Sequence, residues 1–326
     1  MPHTDCHPLF AALSGAGSLD AATAPRTSPT PQRRAAVRRP QREAFRVCVL
    51  GSGSGGNCTV VRFADATLLI DLGFGPRTTA RRLAQLGLSL DDIDAVCLTH
   101  LDQDHFRRSW PRHLIDRRIP VHLHHWHRHD LHLLPLGRDL EQAGLARAFD
   151  ADPFQPIDRQ PAITVRTARC QHDRQGTIAF RVDAPHASLG YATDLGHMPP
   201  SVVDHLAGVD LLAIESNYDE QMTIHSSRPT FVNRRNMSDS GHLSNEQAYD
   251  AVQRIAAASP HGNPRHVILL HRSSQCNHPM KVRRVFERSP ALARRVVLTE
   301  QRRRTRWVPV RPLRCVQRTQ WPLGFK

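Results

Sequence analysis

The stretch Leu98-Thr99-His100-Leu101-Asp102-Gln103-Asp104-His105, "LTHLDQDH", sets two imidazoles and two carboxylates side by side at the end of an apolar run. That run, "DAVCLTH" at 94–100, reads as a buried strand emptying into a polar loop. On a loop, His-x-Asp-x-Asp-His can curl its donors around a cation; on a helix the same spacing points them in different directions. The stretch is a candidate metal site in which Asp102 stands where a fuller histidine array would carry another imidazole.

Three more segments place a ligand-type residue at the end of an apolar run: His172 in "CQHD" at 170–173, Asp194 in "YATDLG" at 191–196 and His271 in "VILLHRSS" at 267–274. Strand ends converging on one edge of a sheet sandwich assemble a two-metal site from distant sequence, and paired divalent ions activate the nucleophile in phosphodiester hydrolysis. With 21 histidines in the chain, a lone match is cheap. "VHLHHWHRHDLHLL" at 121–134 lacks a consistent spacing and an acidic bridge, and reads as surface and core histidines.

"GSGSGGN" at 51–57 formally matches G-x-G-x-x-G directly after a strand. A dinucleotide fingerprint must open a helix that holds the pyrophosphate, whereas the following "NCTVVRF" has the β-branched alternation of a second strand. A tight strand-to-strand connection fits better, with glycines for close backbone approach and Asn57 holding the loop.

Short β-like runs at 45–51, 58–63 and 67–73 precede a helix-like "RTTARRLAQLG" at 77–87. Further strands are expected at 119–123, 162–169, 177–183, 187–193, 209–214, 265–270 and 294–298, with helices near 107–118, 199–206, 245–258 and 279–288. This order predicts two sheets with helices outside and shows no internal repeat. Residues 1–44, rich in Ala, Pro, Arg, Ser and Thr, read as a disordered extension.

The chain of 326 residues has 40% apolar residues, enough for a buried core, and no segment approaching the roughly 20 apolar residues of a membrane span. Its seven cysteines are scattered, odd in number and without a C-x-x-C pair, which argues against a disulfide framework or thiolate zinc site and predicts a cytoplasmic, reducing location. Cys48, Cys58 and Cys97 are expected as small buried hydrophobes. The net charge of +14 is concentrated at one end: residues 281–326 carry fourteen Lys/Arg against Glu287 and Glu300. Arg302, Arg303, Arg304, Arg306, Arg311 and Arg314, interleaved with Trp307 and Trp321, form a basic tail over 301–326 suited to phosphates and bases, or alternatively a solvated segment.

"LGSGSGGN", "LIDLG", "THLDQDH", "QHD", "YATDLG", "IESNYD", "SGHLSNEQA" and "LLHRSSQCNHP" occur in the order and rough spacing of the metallo-β-lactamase fold. Over 45–300 the chain resembles the WalJ/YycJ-type subfamily of metal-dependent DNA exonucleases. The resemblance implies an α/β, αββα four-layer sandwich of two mixed sheets with helices outside, over a catalytic domain at 45–300. It also implies two divalent metal ions, of zinc, manganese or iron. By the same resemblance His100, Asp102 and His172 would hold one ion, Asp104, His105 and His271 the other, and Asp194 would bridge them, with a hydroxide between the ions as nucleophile. Asp71 of "LIDLG" is expected to orient a ligand imidazole or to cap the strand end. His242 resembles the histidine that protonates the leaving oxygen in related nucleases, and Glu215 its acidic partner. His242 also precedes a helix start where Ser244 and Gln247 spell a capping box. Asn217, Ser244 and Asn245 are candidate substrate-binding residues, the two asparagines either binding phosphate or ordering the loop. Arg302 and Arg304 are candidates in the basic tail.

Two positions depart from the family pattern: Asp102 replaces the commoner histidine, and Arg272 follows His271 where a hydrophobic residue is usual. An oxygen donor adds charge and hardness and shifts preference from zinc towards manganese or iron. The leading expectation is a dinuclear phosphodiesterase acting on nucleic acid, DNA degraded from an end. The alternatives are a hydrolase of small phosphodiesters, lactones or thioesters, and a non-catalytic nucleic-acid-binding protein of the same fold.

Overall fold

The structure is a computed structural model and describes residues 45–313. The extension expected at 1–44, and Arg314 and Trp321 of the basic tail, lie outside the described residues.

Among the described residues thirteen strands form two mixed sheets. The first contains β1 (Arg46–Gly51), β2 (Cys58–Phe63), β3 (Ala66–Ile70), β4 (Ala95–Cys97), β5 (Val121–His124) and β6 (Ala146–Phe149). The second contains β7 (Thr164–Cys170), β8 (Thr177–Ala184), β9 (Ala187–Ala192), β10 (Leu211–Glu215), β11 (His266–Leu270) and β12 (Val296–Leu298). A last strand, β13 (Val308–Pro309), returns to pair antiparallel with β1. Part of the segment read as a basic tail therefore lies on the first sheet, and Trp307 is covered by the Arg46 guanidinium at 4.4 Å from the ring centre.

Both sheets repeat one pairing pattern. β1–β2–β3 is antiparallel and then β3–β4–β5–β6 is parallel; β7–β8–β9 is antiparallel and then β9–β10–β11–β12 is parallel. Residue-level comparison shows no repeat because pairing direction depends on connection length, not on particular side chains.

Alternation along the strands builds the layers. On β1, Val47 and Val49 enter the core between the sheets, while Cys48 and Leu50 face outward. On β11, Ile268 and Leu270 point inward, while Val267 and Leu269 meet the outer helices. Each sheet is thus apolar on both faces and covered by helices on its outer one, giving the four-layer αββα sandwich.

Most expected elements are present, with ends displaced by a few residues. The first helix runs Pro76–Ala84, and Gly87 at φ +72° turns the chain after it. Helices at Arg128–Leu133, Gly137–Gln142 and Thr230–Asn236, and strands β6 and β13, were not expected. These are short elements with little apolar periodicity to announce them. "GSGSGGN" connects two antiparallel strands, as expected, and no helix follows it. Cys48, Cys58 and Cys97 are buried and free. No helix among the described residues is long and apolar enough to cross a membrane.

Ile268, fully buried between the sheets, tests this layering. Ile268→Ala is expected to lower unfolding free energy by about 2–5 kcal/mol, read as a shifted urea midpoint at unchanged slope.

Candidate metal centre

The parallel strands of both sheets end on one side, and the site residues occupy the turns just past those ends. Asp71 follows β3, Asp194 follows β9 and His271 follows β11, at φ +62°, +55° and +52° respectively. The left-handed region is sparsely used by non-glycine residues, and three such exits lie at one site. Each turns the chain off its strand at once and brings its side chain over the sheet edge.

Asp71 is inaccessible to water. Its Oδ1 accepts from the Thr99 backbone N–H at 2.9 Å, and its Oδ2 accepts from His105 Nδ1 at 2.8 Å. His105 therefore presents Nε2 inward. His100 and His172 follow the same rule, inferred from their partners: His100 Nδ1 lies 2.9 Å from the Thr99 hydroxyl, and His172 Nδ1 donates to the Gly241 carbonyl at 2.9 Å. His271 Nδ1 lies 3.2 Å from Glu215 Oε1. Those partners leave Nε2 of His100, His105 and His172 facing the centre, whereas His271 Nδ1 is surrounded by Asn217 Nδ2 at 3.0 Å, Glu215 Oε1 and Asp194 Oδ1, and its Nε2 meets Asp104.

The carboxylates meet them there. Asp194 Oδ2 lies 2.8 Å from His105 Nε2, while Oδ1 lies 3.9 Å from His172 Nε2 and 3.2 Å from His271 Nδ1. Asp104 Oδ2 is 3.1 Å from His271 Nε2, and Asp102 Oδ2 is 3.8 Å from His100 Nε2. His100, Asp102 and His172 form one close group of donors, Asp104, His105 and His271 another, and Asp194 joins His100 and His105 in a third.

Beside these groups, His242 Nδ1 donates to Glu215 Oε1 at 2.8 Å. Glu215 is fully buried, and its Oε2 accepts from the backbone N–H groups of Leu195 at 2.8 Å and Leu243 at 3.2 Å. Those contacts tie the Asp194 turn and the His242 turn to one carboxylate.

Charge balance fits a cation. Among the described residues no Lys or Arg forms an ion pair with Asp71, Asp102, Asp104, Asp194 or Glu215, so histidines are their only positive partners. Burial opposes charge on His105, but Asp194, Asp71 and Asp104 outweigh it and hold its pKa well above the ordinary value. His271 behaves alike: burial lowers it, yet Asp194, Asp104 and Glu215 raise it to about 10. His100 goes the other way, depressed well below its ordinary value by burial and by His105. Buried carboxylates converging with so little compensation are characteristic of a place where positive charge is supplied from outside the chain. Nitrogen and oxygen donors together suit a divalent transition metal.

The loops around the centre are locked by polar side chains. Asn57 Oδ1 accepts from the Gly53 N–H at 2.9 Å and the Ser52 hydroxyl at 2.8 Å, and its Nδ2 lies 3.0 Å from His105 Nε2. Ser52 in turn accepts from the His271 N–H at 2.7 Å. Gly73 is required by close approach, since a Cβ there would lie 1.7 Å from the Asp104 carbonyl oxygen. Sequence reasoning missed Ser52, Thr99 and Thr177, whose hydroxyl lies 3.4 Å from His100 Nδ1, as supports; only Thr99, directly before His100, was marked by its position.

Asn217 donates from Nδ2 to the His271 carbonyl at 2.8 Å, and Asn245 Oδ1 accepts from the Ser216 hydroxyl at 2.7 Å. Both amides are buried and work inside the protein. Ser244 caps the helix Asn245–Ala258 with Gln247 in a capping box. Arg302 and Arg304 stand apart from the donor groups, lining a cleft with Arg81, Arg82, Gln85 and Arg303. In the histidine-rich run, His124 Nε2 and His125 Nδ1 each lie 3.6 Å from Asp150 Oδ1, an acidic neighbour directly after the unexpected strand β6.

A family model described as the beta-lactamase superfamily domain matches residues 66–271. Exodeoxyribonuclease YycJ of Bacillus anthracis is 25% identical over 231 residues, covering 70% of this chain and 83% of the relative. Exodeoxyribonuclease WalJ of Streptococcus pneumoniae is 25% identical over 215 residues, covering 64% and 76%. Among solved structures, the metallo-beta-lactamase fold protein YhfI of Bacillus subtilis superposes with a TM-score of 0.57 at 16% identity, covering 81% of this chain and 99% of that one.

The Asp71–His105 pair gives a direct test. In Asp71→Asn the amide retains an acceptor for Thr99 but offers N–H to His105 Nδ1, which moves the imidazole proton to Nε2 and blocks ligation. Metal affinity is expected to fall about 10–100-fold, measured by titration against a competing chelator, with the fold retained by circular dichroism.

Proposed function

The chain belongs to the beta-lactamase superfamily, and from that premise we propose that it is a dinuclear metal-dependent phosphodiesterase that degrades DNA from an end. The observation that carries this reading is the joining of two donor groups through Asp194 beside His242 and its buried partner Glu215. His100, Asp102 and His172 would hold one ion, Asp104, His105 and His271 the other, with Asp194 shared. Divalent cations bound by these donors supply Lewis acidity towards a phosphoryl oxygen and lower the pKa of water.

The protein's own groups do the rest. Asp102, Asp104 and His242 are the members that reach solvent, with side-chain exposures of 57, 24 and 16%, so substrate meets the centre from their side. Glu215 accepts from His242 Nδ1 and holds the ring in place, which leaves Nε2 to hand a proton to a leaving oxygen. An alkoxide leaving group from a phosphodiester needs that proton more than a thiolate does, which favours the phosphodiester reading over thioesters. Likeness to two exodeoxyribonucleases and the basic balance of the chain support nucleic acid as substrate. Free, buried cysteines are compatible with work in a reducing cytosol. The oxygen donor at Asp102 favours manganese or iron beside zinc.

The test is incubation of metal-analysed protein with end-labelled DNA and RNA, single- and double-stranded, in Mn²⁺ or Zn²⁺. DNA is expected to shorten from an end, and chelation to stop the reaction until metal is restored. If no nucleic acid is cut while a small phosphodiester is hydrolysed, the nuclease reading fails. His242→Ala is expected to keep its metal content and lose about 10²–10⁴-fold in kcat; unchanged turnover removes His242 from the mechanism.

A further inference from the structure

Five arginines line one cleft of about 480 Å³: Arg81 and Arg82 from the helix Pro76–Ala84, and Arg302, Arg303 and Arg304 from the segment after β12. Arg82 is the unusual member. It is 9% exposed, stacks on Phe74 at 4.0 Å, and donates to the carbonyls of Leu50 at 2.8 Å and Gln301 at 3.3 Å. None of these partners carries a charge. Arg304 is fixed similarly, donating to the side chain and carbonyl of Gln85, each at 3.1 Å.

The cleft is short of negative charge. Among the described residues neither Arg81, Arg82, Arg302 nor Arg304 has a carboxylate in ion-pair range, and Arg303 has only Glu300 at 4.0 Å. Burial depresses the pKa of Arg82, and Arg81 adds to the effect, as expected for a guanidinium denied a counter-charge. Holding like charges together costs energy unless an anion joins them, and planar guanidinium forks match phosphate oxygens.

Position links the cleft to the metal centre. Gln301 accepts from the Gly55 N–H at 2.7 Å and donates to the Gly56 carbonyl at 2.8 Å, gripping the glycine loop on the cleft side. On the other side the same loop touches the donor groups, through Ser52 to His271 and Asn57 to His105. Ser54 and Gly55 of that loop are exposed.

We propose that the Arg81–Arg82–Arg302–Arg303–Arg304 cleft is a phosphate-backbone subsite that holds the nucleic-acid strand beyond the scissile bond, after it crosses the glycine loop. This rests on the nuclease reading and extends it. Among the described residues the cleft is lined by arginines and Gln85, with no aromatic side chain, which suits it to phosphates.

The test compares the full-length protein, loaded with metal, with the Arg81→Ala/Arg303→Ala double variant, both of whose substituted side chains are exposed. Binding to a long phosphorothioate strand that resists cleavage is read by fluorescence anisotropy, beside an abasic strand of equal length and a dinucleotide. The variant is expected to bind both long strands about tenfold more weakly, and its salt slope to flatten by about 0.7 per lost phosphate contact. Its loss on the dinucleotide should be much smaller, and Arg81→Lys/Arg303→Lys should recover part of the affinity. Equal binding of the long strand by both proteins overturns the proposal, as does failure of the unsubstituted protein to bind it. An equal loss on the dinucleotide overturns it too, because the arginines would then act at the reacting phosphate. The nuclease reading fails separately if unmodified DNA survives the unsubstituted protein, and the binding comparison still decides the cleft.

Discussion

Asp71, Asp194 and Glu215 are at most 2% exposed, and a carboxylate taken that far from water is tolerated only where hydrogen bonds and positive charge replace its hydration. The surrounding structure supplies both. Asp71 fastens the Thr99 backbone and His105; Glu215 fastens the backbone of Leu195 and Leu243 and the rings of His242 and His271; Asp194 lies among the imidazoles of both sheets. Asp71 and Glu215 thus each perform two tasks, closing a turn and aiming a ring. Substituting one changes a loop and a donor together.

The arrangement of strands makes this convergence possible. Both sheets pass from an antiparallel hairpin pattern to a run of parallel strands, and parallel strands finish on the same side. Packing the two sheets face to face brings both sets of endings to one edge, where loops have no ladder partners to satisfy and are free to carry function. Left-handed φ at Asp71, Asp194 and His271 is the local cost. Aspartate and histidine tolerate that region better than branched residues do, so the residues suited to the chemistry are also suited to the turn.

What was legible in the sequence follows from this design. Apolar runs ending in His or Asp were visible because strand and ligand are contiguous, and runs without polar alternation mark strands buried on both faces. His242–Glu215 and the His100 array were reachable through motif order. Contacts between distant segments were not: nothing in "VHLHHWHRHDLHLL" indicates that Asp150 will lie beside His124 and His125, because β6 is short and only partly buried. Nothing in "RTTARRLAQLG" marks Arg82 for burial, which comes from the segment after β12 folding over it. Asn217 and Asn245 were open between phosphate binding and loop ordering, and their partners His271 and Ser216 become visible only once the chain is folded.

The substitution at Asp102 has a physical logic in this setting. The imidazoles that face the centre each have a partner on Nδ1: Thr99 for His100, Asp71 for His105, Gly241 for His172, and Asn217 with Glu215 for His271. Asp102 is at the rim with its side chain 57% exposed and makes no side-chain hydrogen bond among the described residues. An imidazole at that position would lack the support that fixes a tautomer, and water would leave its ring free to present either nitrogen. A carboxylate has no tautomer to fix once ionised and accepts through either oxygen. The rim can therefore support an oxygen donor where it would orient a nitrogen donor poorly, and the harder ligand set follows from where the loop leaves the protein.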